Sequence, residues 1–181
     1  HWSWDRILRS CFIKQADVIL AFYYFPHRFT LEQKQANFRF YEPFTVHESS
    51  LSPSMYSTVA SACGFSDDAY RLYQRAARLD LDNFNADTED GLHITSMAGS
   101  WIALAHGFAG MDYQRGVLAF NPRCPQHWKQ LKMRLVYRGR LLEICFNSHS
   151  FHCELLAGSP LQIEVNGVSL NVETSRDYPL S

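Results

Sequence analysis

The amino-acid sequence predicts a helical region over residues 1–110 followed by an antiparallel β-sandwich over residues 111–181. In the first region, apolar residues recur at helical spacing between capping residues. In the second region, polar and apolar residues alternate between short turns. The pattern changes near residues 109–113, where we place the domain boundary. The chain has 181 residues, of which 46% are hydrophobic, so it can bury a substantial core and form one or two domains.

The first two predicted helices are joined by a short link. The first covers residues 15–25, is apolar on almost every side and ends at Pro26. Such a helix is expected to be buried all round. The second returns from Thr30, where Gln33 completes a capping box, and it closes before Pro43.

Three further helices are predicted before the boundary. Ser52 is expected to cap the third, with Pro53 at its first position and Gly64 as its stop. The fourth opens at Ser66. The fifth covers residues 94–108 and is rich in small residues, which allows close packing. The fourth helix carries apolar residues at helical spacing, namely Ala69, Leu72, Tyr73 and Ala76.

The links between these helices alternate in length. The links at 26–29 and 64–66 are short, whereas those at 41–52 and 79–93 are long. Because short links join antiparallel neighbours, helices one, three and five should be parallel, with their N-termini and the long loops at one end. This arrangement is typical of an α/α toroid. Five helices are fewer than a full toroid needs and the chain starts at His1 without Met, so we expect a piece of a longer polypeptide.

Short strands with regular turns fill the second region and indicate an all-β sandwich. Arg138-Gly139 and Asn166-Gly167 mark two of the turns, and the latter is a strong hairpin signal. The predicted strands cover residues 132–137, 141–146, 151–156, 161–165 and 168–172.

Polar residues stand just before helices one, three and five of this prediction. They are Lys14 and Gln15, the segment 47–50, and His93. Helix N-termini present unpaired backbone N–H groups and the positive end of the helix dipole, and both favour anions. If the three helices are parallel, these residues converge on one site suited to a phosphate and a polyhydroxylated substrate.

Each of these residues also has a purely structural explanation. Serine or an acidic residue near a helix start is an ordinary cap, a histidine there is usually a hydrogen-bonded loop residue, and Lys14 with Gln15 could face solvent. Ser52 is the better cap for the third helix, which leaves Ser49 and Ser50 to donate their hydroxyls. A lysine before a helix that is buried on every side would face the centre of the toroid.

Charge and composition exclude several classes of function. The net charge is −1 and no basic run is present, so neither nucleic acid nor an anionic membrane is expected as a partner. The longest apolar run, residues 18–25, is too short to span a bilayer. The five cysteines form no CxxC pair, which indicates reduced thiols and a cytoplasmic protein. The acidic segment 80–90 places Phe84 where a calcium-binding loop needs a ligand, so we expect caps and Asx-turns there, and no metal.

Five segments of the chain closely resemble glycoside hydrolase family 65, which contains inverting phosphorylases acting on maltose, trehalose, kojibiose and nigerose. The resemblance covers essentially the whole chain. The loop Thr-Val-His-Glu-Ser-Ser is most like that of the maltose-specific members. The five segments are residues 1–10, 14–18, 41–53, 77–83 and 85–99.

This resemblance implies both a fold and a site. The fold would be the last helices of an (α/α)6 barrel followed by the family's C-terminal β-sandwich. Lys14 and Gln15 match the pair that holds the glucosyl unit, and Ser49, Ser50 and His93 match the phosphate-binding group. The resemblance also implies that the general acid is a Glu upstream of this segment. Glu42 and Glu48 do not match the family's acid by motif, so neither is assigned that role.

The resemblance further implies phosphorolysis of an α-glucoside, with inorganic phosphate as a substrate and no cofactor. We expect maltose and phosphate to give β-glucose 1-phosphate and glucose. Trehalose, kojibiose or nigerose are alternative substrates, and a non-catalytic sugar-binding or structural module is the alternative from another class. Hydrolysis is less favoured because Ser49, Ser50 and His93 suit an anion better than water. We expect the site to need the rest of its own chain and the full-length protein to be a homodimer.

Overall fold

The computed structural model describes residues 3–47, 50–84, 86 and 88–180. They form two compact units, over residues 1–107 and 108–181. The described part of the first unit contains six α-helices, of which the last five correspond to the predicted ones. They are α1 (Trp4–Leu8), α2 (Asp17–Tyr24), α3 (Leu31–Tyr41), α4 (Ser52–Ala62), α5 (Ser66–Ala77) and α6 (Ile94–Ile102). No helix in this described part of the chain is long and apolar enough to cross a bilayer.

Short helical turns connect several of these helices. Turns of 3-10 helix cover Pro26–Arg28, Glu42–Phe44 and Thr88–Asp90. The last helix continues beyond α6 as a π-helical segment over Ala103–Phe108, so the predicted fifth helix has the expected length.

The capping box predicted for α3 is present. The Thr30 hydroxyl accepts a hydrogen bond from the Gln33 backbone N–H at 3.2 Å, and the Gln33 side chain accepts one from the Thr30 backbone N–H at 2.9 Å. Two N–H groups that have no partner within the helix are thereby satisfied. The helix ends at Tyr41, before Pro43, as predicted.

The prediction that Ser52 caps α4 is wrong. The helix already begins at Ser52, its N-cap is Leu51, and no side chain caps it. The Ser52 hydroxyl lies 3.1 Å from Nδ1 of the buried His47. The stop at Gly64 is confirmed, because Gly64 has φ of 81°, a left-handed conformation that glycine adopts without strain.

The prediction that α2 is buried on every side is wrong, and it is α4 that is buried in this way. The helix α2 packs on α3 and α4 and buries only Ile19 and Phe22, while Tyr24 is 57% exposed. In α4, every residue from Ser52 to Ser61 is buried, because α2, α3, α5 and α6 all pack against it. Its hydroxyls are satisfied internally; for example, Ser57 donates to the carbonyl of Ala69 at 2.8 Å.

The helices α2, α4 and α6 begin at the same end of the first unit, as the link lengths predict. Ile13, just before α2, exchanges backbone hydrogen bonds with Phe44 and Val46, just before α4, at 2.9 and 3.0 Å. Ser50, before α4, is hydrogen-bonded to Thr95 in the first turn of α6. These two connections bring all three N-terminal ends together.

The helices α4 and α6 run parallel in very close contact. A Cβ at Gly99 would overlap the Ser54 side chain, and a Cβ at Gly107 would lie 3.2 Å from Thr58 Cα. The Ser61 hydroxyl donates to the Gly107 carbonyl at 2.9 Å. Glycine at these two positions therefore sets the distance between the helices.

The second unit is a sandwich of two sheets. One has the strand order β1-β5-β6 and the other β2-β3-β4-β7. The Phe120 and Phe151 rings, from β1 and β4, lie 5.2 Å apart and join the two sheets in the core. The strands are β1 (Leu118–Phe120), β2 (Leu131–Tyr137), β3 (Arg140–Phe146), β4 (Ser150–Ala157), β5 (Leu161–Val165), β6 (Val168–Val172) and β7 (Ser175–Pro179).

The five predicted strands are β2 to β6, whereas β1 and β7 were not predicted. Asn166 and Gly167 have φ of 50° and 79°, as the predicted two-residue hairpin turn requires. The sandwich is not purely antiparallel, because β1 pairs with β5 in parallel; all other strand pairs in the described residues are antiparallel. The short β1 is brought to β5 by a long connection, which allows this orientation.

Replacing Gly99 with Ala tests the close approach of α4 and α6. The added methyl group would overlap the Ser54 side chain, so we expect the free energy of unfolding to fall by about 1–3 kcal/mol. The double variant Gly99→Ala with Ser54→Gly removes the overlapping atoms, so its loss should be smaller than the sum of the two single losses. Denaturant titration of all four proteins measures this coupling. Strictly additive losses would contradict the close contact.

Candidate anion site at the helix N-termini

Two of the predicted phosphate residues lie at the joined ends of α4 and α6. The Ser50 Oγ lies 2.5 Å from the Thr95 Oγ1, so the loop before α4 touches the first turn of α6. His93 is the N-cap residue of α6, two residues before Thr95. The predicted Ser49 lies outside the described residues. The structure thus connects Ser50 and His93 through the start of a single helix.

His93 is held by a carboxylate that sequence reasoning did not place at the site. One oxygen of Asp80 accepts a hydrogen bond from the His93 backbone N–H at 2.9 Å, and the other lies 2.6 Å from Nδ1 of the His93 ring. A carboxylate only accepts hydrogen bonds, so Nδ1 carries the proton in this contact. These hydrogen bonds lower the pKa of Asp80, which stays ionised.

The acidic segment 80–90 is expected to provide helix caps. Asp80 does so for α6, and it also binds the His93 ring. Asp80 satisfies the backbone N–H at the start of α6, as a capping side chain does. Asn83 accepts hydrogen bonds from the backbone N–H and hydroxyl of Thr88, at 3.1 and 2.6 Å, and so fixes the same loop. The described residues contain no group of three or more His, Cys, Asp or Glu side chains that could hold a metal ion.

Lys14 and Gln15 lie in the exposed turn before α2. Their neighbour Ile13 is paired with the backbone on both sides of Thr45, in the segment that leads to α4. This pairing puts the predicted sugar-binding residues at the end of the unit where Ser50 and His93 also lie.

A buried histidine supports the loop that precedes Ser50. His47 is 6% exposed and adopts a left-handed backbone with φ of 53°. Arg75 Nη2 donates to the His47 carbonyl at 3.0 Å, and the Tyr56 ring stacks edge-on against the imidazole at 4.9 Å. Burial, reinforced by nearby arginines, lowers the pKa of His47 to about 4, so the ring is neutral near pH 7. His47 is therefore a structural residue of the loop.

The start of the same loop is fixed by polar pairs. The Thr45 and Tyr56 hydroxyls lie 2.6 Å apart, and burial raises the pKa of Tyr56 to about 12. Glu42 accepts a charge-assisted hydrogen bond from Arg71 at 2.7 Å. This ion pair ties the segment before α4 to α5.

The arrangement offers the chemistry of an oxyanion site. It combines the mutually hydrogen-bonded hydroxyls of Ser50 and Thr95, of which one O–H remains to donate to an anion, an imidazole at His93, and the N-terminal ends of α4 and α6. Asp80, the carboxylate that the described residues place beside His93, is already engaged with it. Oxygens of a phosphate accept hydrogen bonds from such donors.

Sequence reasoning missed Asp80 and Thr95. Asp80 lies 13 residues before His93, and an acidic residue in a long loop gives no local sign of the residue it will bind. Thr95 lies two residues after His93 in the first turn of the helix, so its position alone could have made it a candidate.

A separate surface cavity of about 500 Å³ in the second unit, lined by Arg123 and Asn147 among others, contains none of the predicted site residues.

Family models match both parts of the chain. Residues 1–102 match the glycosyl hydrolase family 65 central catalytic domain. Residues 111–172 match the C-terminal domain of the same family. Together the two matches cover most of the chain.

Several curated relatives of this chain are named disaccharide phosphorylases. The chain is 52% identical to maltose phosphorylase of Bacillus subtilis (strain 168) over 165 residues, which are 91% of this chain and 22% of that protein. It is 38% identical to α,α-trehalose phosphorylase of Thermoanaerobacter brockii over 163 residues, or 90% of this chain and 21% of that protein. The chain thus spans about a fifth of the length of these relatives.

A solved structure has the same fold. It is that of a protein from the human microbiome provisionally named a kojibiose phosphorylase, and it matches with a TM-score of 0.92 at 33% identity. The match covers 100% of this chain and 27% of that chain.

The burial of neutral His47 makes stability depend on pH. Unfolding returns the pKa from about 4 to its ordinary value of 6.5, so the unfolded chain gains a proton between these values and the folded one does not. We expect up to about 3 kcal/mol of stability to be lost as the pH falls from 6.5 to 4. The variant His47→Asn removes the titrating ring, and asparagine tolerates the left-handed backbone. In this variant, the stability loss that is due to His47 between pH 6.5 and 4 should be absent.

Thermal unfolding between pH 7 and pH 4 measures the effect in the polypeptide that carries this segment. The matched control is His149→Asn, because His149 is exposed. The control should follow the parent protein at every pH. If His47→Asn also followed the parent, the buried neutral state of His47 would be refuted.

Proposed function

Since this chain belongs to glycosyl hydrolase family 65, we propose that it is part of an inverting α-glucoside phosphorylase. The enzyme would convert maltose and phosphate to β-glucose 1-phosphate and glucose. Identity of 52% to a maltose phosphorylase, against 38% and 36% to trehalose and kojibiose phosphorylases, supports maltose over the other disaccharides. In the described residues none of the five cysteines forms a disulfide, which supports a cytoplasmic enzyme.

One observation carries the proposal: Ser50, just before α4, is hydrogen-bonded to Thr95 in the first turn of α6, two residues after the Asp80-bound His93. In an inverting hydrolase, a carboxylate base activates water on the face opposite the leaving group. Phosphate would be repelled by such a carboxylate. Hydroxyls, an imidazole and helix N-termini attract it instead, and so favour phosphate as the nucleophile.

The remaining residues have distinct roles in this proposal. Lys14 and Gln15 hold the glucosyl unit, and Ser49 joins Ser50 and His93 around the phosphate. The general acid is a Glu contributed by the polypeptide upstream of the segment. The expected homodimer of the full-length protein is part of the same proposal.

We also assign the two regions to two domains. Residues 1–110 would be the closing helices of an (α/α)6 barrel, and residues 111–181 its β-sandwich domain. The parallel course of α2, α4 and α6, with α3 and α5 between them along the chain, supports the barrel, because such a barrel alternates inner and outer helices.

Product analysis of the full-length polypeptide tests the activity. With maltose and inorganic phosphate, we expect β-glucose 1-phosphate and glucose in equal amounts; without phosphate, we expect almost no glucose. Trehalose and kojibiose serve as comparison substrates. Release of glucose at the same rate with and without phosphate would identify a hydrolase, and no reaction with any disaccharide would favour a binding module.

Single substitutions should separate the two subsites. Ser50→Ala removes one neutral donor, so we expect transition-state stabilisation to fall by about 1–3 kcal/mol, with a higher KM for phosphate and a lower kcat. The KM for the disaccharide should change little. Lys14→Ala should instead raise the disaccharide KM and lower kcat together, because it serves the glucosyl unit.

Steady-state kinetics with each substrate varied in turn measures both effects. If Ser50→Ala changed only the melting temperature and left the phosphate dependence as it was, Ser50 would have a structural role and the phosphate assignment would be wrong.

Because it exposes apolar side chains, we expect the isolated 181-residue segment to aggregate. Ile94, Met97 and Trp101 recur along one face of α6 and are 74%, 50% and 49% exposed. We propose that the rest of the polypeptide covers this face, since an apolar stripe of this kind promotes association when exposed. Size-exclusion chromatography should show aggregates of the isolated segment. A monomer that melts cooperatively would contradict this prediction.

A further inference from the structure

We propose that Asp80 is a positioning residue, which orients the His93 ring toward the phosphate and fixes the proton on Nδ1. The inference rests on the proposed function, because it assumes that His93 binds phosphate. It adds a residue that lies outside the predicted site, although it falls within the segment 77–83 that resembles the family.

The geometry goes beyond that of a helix cap. One Asp80 oxygen binds the His93 backbone N–H at 2.9 Å, and this contact alone would complete the cap. The other oxygen lies 2.6 Å from Nδ1 of the ring. Two contacts from one carboxylate fix the backbone and the ring of His93 together, so the ring has one preferred orientation at the mouth of the site.

The second contact also decides which ring nitrogen can meet an anion. With Nδ1–H donated to Asp80, Nε2 is the nitrogen on the opposite side of the ring. Neutral Nε2 accepts a hydrogen bond from a protonated phosphate oxygen, and protonated Nε2 donates one to a phosphate oxygen. A carboxylate on the other ring nitrogen fixes the tautomer and the ring orientation in the same way for histidines that bind metals.

A neighbouring carboxylate shows what a purely local role looks like. Both oxygens of Asp82 bind Arg78 on the preceding turn, at 2.7 and 2.6 Å. Asp80, in contrast, has a side chain only 12% exposed and binds a residue 13 positions away. Asp82 is therefore a matched control of the same residue type in the same loop.

The test is kinetic and uses the full-length polypeptide. In Asp80→Asn, the side-chain oxygen can still cap the backbone, but the amide cannot fix the Nδ1 proton and supplies no charge. We expect the KM for inorganic phosphate to rise at least about tenfold, the range seen for groups that orient a ligating histidine, while the KM for the disaccharide changes less than about twofold. In Asp82→Asn, both constants should stay at the parent values.

A double-variant cycle with His93→Gln gives the readout that a structural role would not produce. If Asp80 acts through His93, adding Asp80→Asn to His93→Gln should change the phosphate KM by less than about twofold. Independent, multiplying effects would overturn the proposal. A phosphate KM that rises in His93→Gln but not in Asp80→Asn would overturn this inference alone, whereas no change in His93→Gln would overturn the proposed phosphate site itself.

A second substitution covers the case in which Asp80→Asn does not fold. Asp80→Ser keeps a hydroxyl for the backbone cap but cannot hold the ring, so we expect the same phosphate-specific rise in KM. Failure of both variants to give soluble protein would mark Asp80 as a structural cap and overturn the proposal.

Discussion

The close parallel contact between α4 and α6 is the constraint on which the candidate site depends. It is possible only because Gly99 and Gly107 leave room for Ser54 and Thr58. Parallel helices at this distance bring their N-terminal ends side by side, and the dipoles that would repel one another there favour an anion between them. The absence of side chains at Gly99 and Gly107 in the core therefore fixes how close the N-terminal ends of α4 and α6 lie at the surface.

The loop before α4 converts this helix arrangement into a specific site. Two hydrogen bonds hold its backbone. Arg75 donates to the His47 carbonyl, and the Thr45 hydroxyl is paired with that of Tyr56. Both hydrogen bonds would be lost if the loop left this position, so they favour one loop conformation over others. The other side of the site has an equivalent support in Asp80, which holds His93 at the start of α6. Rigid supports of this kind let neutral donors bind an anion without reorganising.

Local signals predicted the elements, and long-range contacts account for what they missed. The Thr30 capping box and the Asn166-Gly167 hairpin each depend on residues at most three positions apart, so the sequence specifies them directly. Asp80 and strand β1 depend on partners brought together by loops, and nothing in their own neighbourhood indicates those partners. The wrong cap at Ser52 has a different cause, because its partner His47 is only five residues away. The helix begins at Ser52 itself, and the Ser52 hydroxyl lies against the buried His47.

A crystal structure of the full-length polypeptide with bound inorganic phosphate tests the central claim most directly. The account predicts a phosphate within hydrogen-bond distance of Ser50 Oγ and His93 Nε2, with Asp80 still bound to Nδ1. Phosphate bound elsewhere, at a concentration that saturates turnover, while the space between the starts of α4 and α6 holds only water, would contradict it.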